Sequence, residues 1–129
     1  MEDFKKRVQE LAKRYRFLRG YKTYFSAAHK LGKEGEYEPL HGHTYHIVVK
    51  VEMNDWLDFR DLKKVVDEKI RELDHHNLGD ITAEEIAIQI LDFVYNKFKR
   101  FSEFTWAEVE VWETPKYFVK VSKRNEEIK

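Results

Sequence analysis

The sequence predicts one α+β domain. Two helical periodicities lie side by side between two pairs of strand-like runs, and the chain is 129 residues long, the size of a single ordinary domain. Read in order, the elements are helix, strand, strand, helix, helix, strand, strand. Adjacent strands can then pair antiparallel into a four-stranded sheet, and the two central helices can cover one of its faces.

Phe4, Val8, Leu11, Tyr15 and Leu18 recur at spacings of three and four with charges between them, and Gly20 follows. This predicts an amphipathic helix over residues 3–19, so that residues 1–20 form an N-terminal helix ahead of a domain at 21–122. Tyr21 to Ala27 is rich in aromatics and Thr and reads as a strand ending near His29, and the Gly and Pro of Leu31 to Leu40 mark a loop. From His43 to Met53 the side chains alternate, with Tyr45, Ile47, Val49 and Val51 on one face. Phe59, Leu62, Val66, Ile70 and Leu73 then take helical spacing behind Asp58, a candidate cap, and that helix runs into Asp74 and His75. After Gly79-Asp80 comes a second helix with Ile86, Ile90, Val94 and Phe98 on one stripe, and Thr82 to Glu85 has the form of a capping box. Phe104 to Glu113 and Lys116 to Ser122 read as a closing pair of strands joined at Thr114-Pro115, and 123–129 as a frayed tail.

Composition narrows the function classes. Lys plus Arg number 24 and Asp plus Glu also 24, so no general field draws the chain to nucleic acid or an anionic membrane. No apolar run approaches the roughly 20 residues of a membrane span. The charged N-terminus does not resemble a signal peptide, which makes a cytoplasmic location the default expectation. There is no cysteine, which excludes disulfides, thiolate catalysis and Cys-rich zinc clusters. Heavy use of Lys and Glu suits a protein from a hot environment.

The six histidines fall in three short places: His29; His41, His43 and His46; His75 and His76. His41 and His43 are two apart at the start of a strand, so in a regular strand both imidazoles leave the same face, and the intervening Gly42 is expected to leave room for an ion. His29, from the preceding strand, can add a third nitrogen. Three neutral imidazoles with a fourth position open are the donor set of a catalytic zinc site, whereas an isolated His-x-His is more often a turn with half-exposed rings. In Asp74-His75, a carboxylate beside an imidazole can fix its tautomer for proton transfer; equally, Asp74 can cap the helix end. His46 and His76 carry no assigned role.

These residues resemble a known family, the 6-pyruvoyltetrahydropterin synthase and 6-carboxytetrahydropterin synthase family. The matching pieces, in family order, are Phe25-Ser26-Ala27-Ala28-His29, His41-Gly42-His43-Thr44-Tyr45, Asp58-Phe59 to Leu62-Lys63, Leu73-Asp74-His75-His76-Asn77-Leu78, Thr82-Ala83-Glu84 and Trp112-Glu113-Thr114. The resemblance implies a tunnelling fold (T-fold) assembled as a homohexamer of two trimers with active sites between subunits, and a small-molecule pterin as substrate. It implies Zn2+ on His29, His41 and His43, Asp74 and His75 as the proton-transfer pair, and Glu113 as the residue anchoring the pterin. A pterin presents an amino group and a ring N–H side by side, an edge from which one carboxylate accepts two hydrogen bonds. Thr82 and Glu84 match a segment lining the pterin pocket, although Thr82 is equally accounted for as a helix cap.

The chain departs from the family at one point. Members making 6-pyruvoyl or 6-carboxy pterins carry a cysteine a few residues before the His-Gly-His, and here the segment is Glu36-Tyr37-Glu38-Pro39-Leu40-His41. It resembles a variant branch in which a glutamate replaces the cysteine and 6-hydroxymethyl-7,8-dihydropterin is formed from 7,8-dihydroneopterin triphosphate or a dephosphorylated form. Glu38 is the candidate base, with Glu36 and Glu34 as competitors. The rival readings are a 6-pyruvoyl- or 6-carboxy-tetrahydropterin synthase, a pterin- or zinc-binding module without catalysis, and a structural metal site.

Overall fold

A computed structural model describes residues 3–127. The elements in chain order are α1 (Asp3–Leu11), β1 (Leu18–Leu31), β2 (Glu38–Met53), α2 (Phe59–Leu73), β3 (Asn77–Asp80), α3 (Ala83–Phe98), β4 (Phe104–Trp112) and β5 (Phe118–Arg124). The strands form one mixed sheet in the order β3-β1-β2-β4-β5. β1, β2, β4 and β5 pair antiparallel as expected. The expected four-stranded sheet gains a fifth member, because β3 adds to the edge of β1 in parallel. β3 escapes a periodicity reading because it is four residues long and has Leu78 as its only apolar side chain.

Phe25, Ala27, Tyr45, Ile47, Val49, Val51, Val109 and Val111 alternate onto the inner face and are buried there under α2 and α3. α2 contributes Leu62, Val66, Ile70 and Leu73, and α3 contributes Ile86, Ile90, Val94 and Phe98. Both helix starts are capped as expected. Asp58 accepts from the Arg60 amide, and Thr82 and Glu85 form a reciprocal capping box.

Four boundaries differ from the expectation, the first being that β2 begins at Glu38, inside the expected loop, instead of at His43. The N-terminal helix ends at Leu11 instead of continuing to residue 19, although the apolar period persists to Leu18. Leu18 and Arg19 pair instead with Glu52 and Val51 of β2, and the Arg19 guanidinium donates to the carbonyls of Met53 (2.8 Å) and Asp55 (2.6 Å). Sheet pairing with a long neighbour outweighs the local preference of a short helix. The β4–β5 connection extends to residue 117, with the Thr114 hydroxyl accepting the amides of Lys116 and Tyr117. The supposed tail is ordered through much of its length. Lys123 and Arg124 continue β5, and the buried Asn125 side chain donates to the Phe104 carbonyl at 2.8 Å; residues 128 and 129 lie outside the described residues. No helix among the described residues is long and apolar enough to cross a membrane.

Candidate metal centre

The antiparallel register of β1 and β2 sets His29 directly opposite His41 and Ala27 opposite His43. His29, His41 and His43 share the inner face with Tyr45, at the end of the sheet where α3 begins. Nδ1 of His29 lies 2.8 Å from the Ile81 carbonyl oxygen, and Nδ1 of His41 lies 2.7 Å from that of Pro39. A carbonyl can only accept, so in the neutral rings Nδ1 carries the proton and Nε2 keeps its lone pair.

Those Nε2 atoms converge, 3.2 Å apart for His29 and His41 and 2.8 Å apart for His41 and His43. Oε1 of Glu113 sits 3.1 Å from Nε2 of His29 and 3.2 Å from Nε2 of His43, and Oε1 of Glu38 lies 3.0 Å from Nε2 of His41. At His29 and His41 acceptors therefore face acceptors, an arrangement that a cation relieves. Donors around a tetrahedral zinc with ligand bonds of about 2.0–2.1 Å stand roughly 3.3 Å from one another, close to these separations. His29, His41, His43 and Glu113 each offer one ligand atom within 4.8 Å of the others, so this group can hold a metal ion. The pKa of His43 is lowered, first by burial, against the attraction of Glu113, with His41 and His29 lowering it further. Its ring is thus kept neutral and ready to ligate.

The loop before His41 separates the three acidic candidates. The Glu36 carboxylate turns back to accept the amides of Lys33 (3.1 Å) and Glu34 (2.7 Å), hydrogen bonds that hold its pKa below the usual carboxylate range. It packs against Gly32, where φ is +94° and an added Cβ would come within 2.6 Å of it. Glu34 is exposed and supplies the amide of that turn. Only Glu38 reaches the imidazoles. Gly42 plays a different part from the one expected. It lies on the outer face, where an added Cβ would meet only the Ala27 carbonyl at 3.8 Å, so it makes no room for an ion.

Asp74 and His75 are placed elsewhere, along the edge of β1. Asp74 Oδ1 accepts the Ser26 amide at 3.0 Å and Oδ2 lies 3.0 Å from His75 Nδ1, while the His75 amide donates to the Ser26 carbonyl at 2.6 Å. The Ser26 amide is the chief reason that Asp74 titrates below the usual carboxylate range, with His75 adding to it. His75 has φ +62°, the only non-glycine residue among those described with a positive value, and its side chain is 82% exposed. It borders a shallow depression of about 500 Å3 whose lining also includes His43, Ser26, Ala28, Gly42, Thr44 and Asn77. Among the described residues, the hydrogen bonds and ion pair of the Asp74 carboxylate run to Ser26 and His75, and none joins it to the imidazole cluster. Thr82 spends its hydroxyl within the cap, accepting from the Glu85 amide and donating to the Glu85 carboxylate, and Glu84 is exposed on the first turn of α3.

Two features escape the sequence reading. The Tyr45 side chain is fully buried, with its ring centroid 5.5 Å from that of His43 and 5.9 Å from that of His29, and its hydroxyl has no hydrogen-bond partner among the described residues. Its pKa is pushed up by burial first, then by Glu113 and Glu38. Its phase in β2, in step with His41 and His43, was the available signal. The second feature is the contact of Glu113 with the imidazoles, which follows from the pairing of Val111 with Ile47.

Comparison with known proteins identifies the family. The chain is 46% identical over 78 residues, 54% of its length and 68% of the relative's, to dihydroneopterin monophosphate aldolase of Pyrococcus furiosus. It is 28% identical over 127 residues, 73% of its length and 90% of the relative's, to 6-carboxy-5,6,7,8-tetrahydropterin synthase of Haemophilus influenzae. A solved structure of Plasmodium vivax 6-pyruvoyltetrahydropterin synthase, carrying a catalytic-residue substitution, superimposes with a TM-score of 0.74 at 19% identity, covering 85% of this chain and 99% of the other. The family profile described as 6-pyruvoyl tetrahydropterin synthase matches residues 20–124, all but the N-terminal segment and the last few residues, and the chain therefore belongs to that family.

Proposed function

We propose that the chain is a zinc-dependent lyase that cleaves the C6 side chain of a 7,8-dihydroneopterin phosphate to give 6-hydroxymethyl-7,8-dihydropterin. The observation that carries this reading is the approach of Glu38, and of no other acidic residue of its loop, to Nε2 of His41 where the three imidazoles converge. The P. furiosus relative bears the name of an aldolase acting on a monophosphate, which favours both the reaction and a dephosphorylated substrate.

His29, His41 and His43 would hold the zinc, which when bound supplies Lewis-acid polarisation of the side-chain hydroxyls. Glu38 takes the proton from the C2′ hydroxyl. As C2′=O forms, the C1′–C2′ bond breaks and its electron pair passes into the dihydropterin ring; protonation at C1′ then completes the hydroxymethyl group, and a two-carbon aldehyde leaves. Asp74 fixes the His75 ring, which returns the proton at C1′. Because one chain keeps His75 at the sheet edge, that pair would come from a second copy, in keeping with a hexamer of two trimers. Glu113 accepts the amino and ring N–H of the pterin, with Thr82 and Glu84 lining the pocket.

Mass identification of the product from 7,8-dihydroneopterin mono- and triphosphate tests the reaction. A 6-pyruvoyl or 6-carboxy pterin would transfer the chain to the synthase reading. That alternative has one observation in its favour, since in the P. vivax synthase the catalytic residue changed to cysteine is itself a glutamate. Zinc and pterin binding without turnover would leave a binding module. Mixing inactive His41→Ala and His75→Ala proteins tests the shared site. Recovered activity supports it, and none after demonstrated subunit exchange removes it.

A further inference from the structure

Glu113 stands in two places at once in the reading above. As a pterin anchor it must offer both carboxylate oxygens to the heterocycle. Yet Oε1 lies 3.1 Å and 3.2 Å from the Nε2 atoms of His29 and His43, and its ligand atom belongs to the same four-donor group as the imidazoles. On the His29 side no donor accounts for that approach: the His29 proton is held on Nδ1 by the Ile81 carbonyl, so the carboxylate oxygen faces a bare lone pair there. Glu38 is placed differently, beside His41 alone and more exposed, at 43% against 29%.

We infer that Glu113 is an exchangeable fourth metal ligand. In the pterin-free protein its carboxylate completes the centre with His29, His41 and His43, and pterin binding withdraws it to the guanidine-like edge of the heterocycle, so that the fourth position opens only when substrate is there to use it. The exchange makes and breaks only metal–oxygen and hydrogen bonds, and no proton or electron need leave. The closed state is four-coordinate, as in structural zinc sites, and the open state has the three protein ligands of catalytic ones. One residue would thereby couple recognition of the ring to exposure of the metal, which protects the centre from other anions between turnovers. This inference rests on the proposed zinc and pterin reading.

The test uses the Co2+-substituted full chain, whose visible absorption reports coordination, with 6-methylpterin as the probe because it has the guanidine-like edge but no side-chain hydroxyl to ligate the metal. Glu113→Gln should alter the pterin-free cobalt spectrum and weaken metal retention against a chelator by ~10- to 100-fold. Saturating 6-methylpterin should change the wild-type spectrum in the same direction and leave that of Glu113→Gln unmoved. Glu113→Asp, which keeps the charge but retracts it, should fall between the two and guards against a misfolded glutamine variant. Identical cobalt spectra and metal retention in wild type and both variants would overturn the inference, and a wild-type spectrum unmoved by bound 6-methylpterin would overturn the exchange. Failure of the underlying reading looks different: wild-type protein would then not bind Co2+, or His41→Ala would retain it.

Discussion

β2 carries a polar site at each end, and the two are built on opposite principles. Near its C-terminal end, Glu52 is 6% exposed, and its carboxylate receives the Arg16 guanidinium and the Thr105 hydroxyl. The Arg19 guanidinium, at the same end of the strand, donates to three backbone carbonyls. Each of these acceptors meets a donor from the same chain. At the N-terminal end, the lone pairs of His29 and His41 face one another and two carboxylates, and the Tyr45 hydroxyl has no hydrogen-bond partner among the described residues. Buried polar groups are normally satisfied within the fold, so a cluster in which acceptors meet acceptors points outside the chain for what completes it. The first site is completed by the fold, and the second has the donor set of a group that could hold a metal ion.

The largest expected effect breaks the second site. His41→Ala or His43→Ala should lower bound zinc from about one per chain to near zero, as measured by elemental analysis, because two imidazoles and a partly exposed carboxylate do not replace the three-nitrogen set. Full stoichiometry in both variants would mean that the imidazole cluster is not the metal site. Next in size is Glu38→Gln, which keeps the shape but cannot accept a proton. Turnover should fall by ~10²- to 10⁴-fold with zinc and pterin binding retained. Normal turnover would place the base elsewhere, and Glu36, held in its turn by two amides, is poorly free to serve.

How much of this contrast the sequence discloses depends on how local each feature is. The three histidines were legible because a strand has period two and because neighbouring strands pair, which together bring positions 29, 41 and 43 to one face. The capping box at Thr82 and the cap at Asp58 were legible for the same reason, being set within a single turn. The register was not. Without the pairing of Val111 with Ile47, nothing places Glu113 against His43, and nothing sets Leu18 and Arg19 in β1 when their apolar period continues that of the helix before them. Nor could the dipeptide Asp74-His75 reveal that its backbone would turn to φ +62° and carry the imidazole to the sheet edge, since that depends on the hydrogen bonds to Ser26.

A smaller effect sharpens the first site. Glu52→Ala removes an acceptor that two donors require, and should destabilise the fold by about 1–3 kcal/mol in denaturant unfolding while leaving zinc stoichiometry unchanged. The value should fall towards the lower end, because the Arg16 side chain is 71% exposed and water can replace its contact. A loss of zinc in this variant would show that the two ends of β2 are coupled, and that they are not the independent sites their hydrogen bonding describes.

The smallest expected effect has the opposite sign and is the sharpest test of the contrast. The Tyr45 hydroxyl is buried without a hydrogen-bond partner among the described residues, so the fold bears its desolvation and gains no hydrogen bond in return. Tyr45→Phe removes that hydroxyl and keeps the ring, along with its stacking on Phe25 at a centroid separation of 5.1 Å. Deleting a polar group at the histidine end should therefore leave the metal-free protein as stable as before or raise its stability by up to about 1 kcal/mol, whereas deleting one at the Glu52 end lowers it. Denaturant unfolding in the presence of a chelator measures both variants under one condition and removes any contribution from bound metal. A loss for Tyr45→Phe as large as that for Glu52→Ala would show that the hydroxyl is satisfied by the chain after all. The two ends of β2 would then differ in which residues they carry, and no longer in whether the fold completes them.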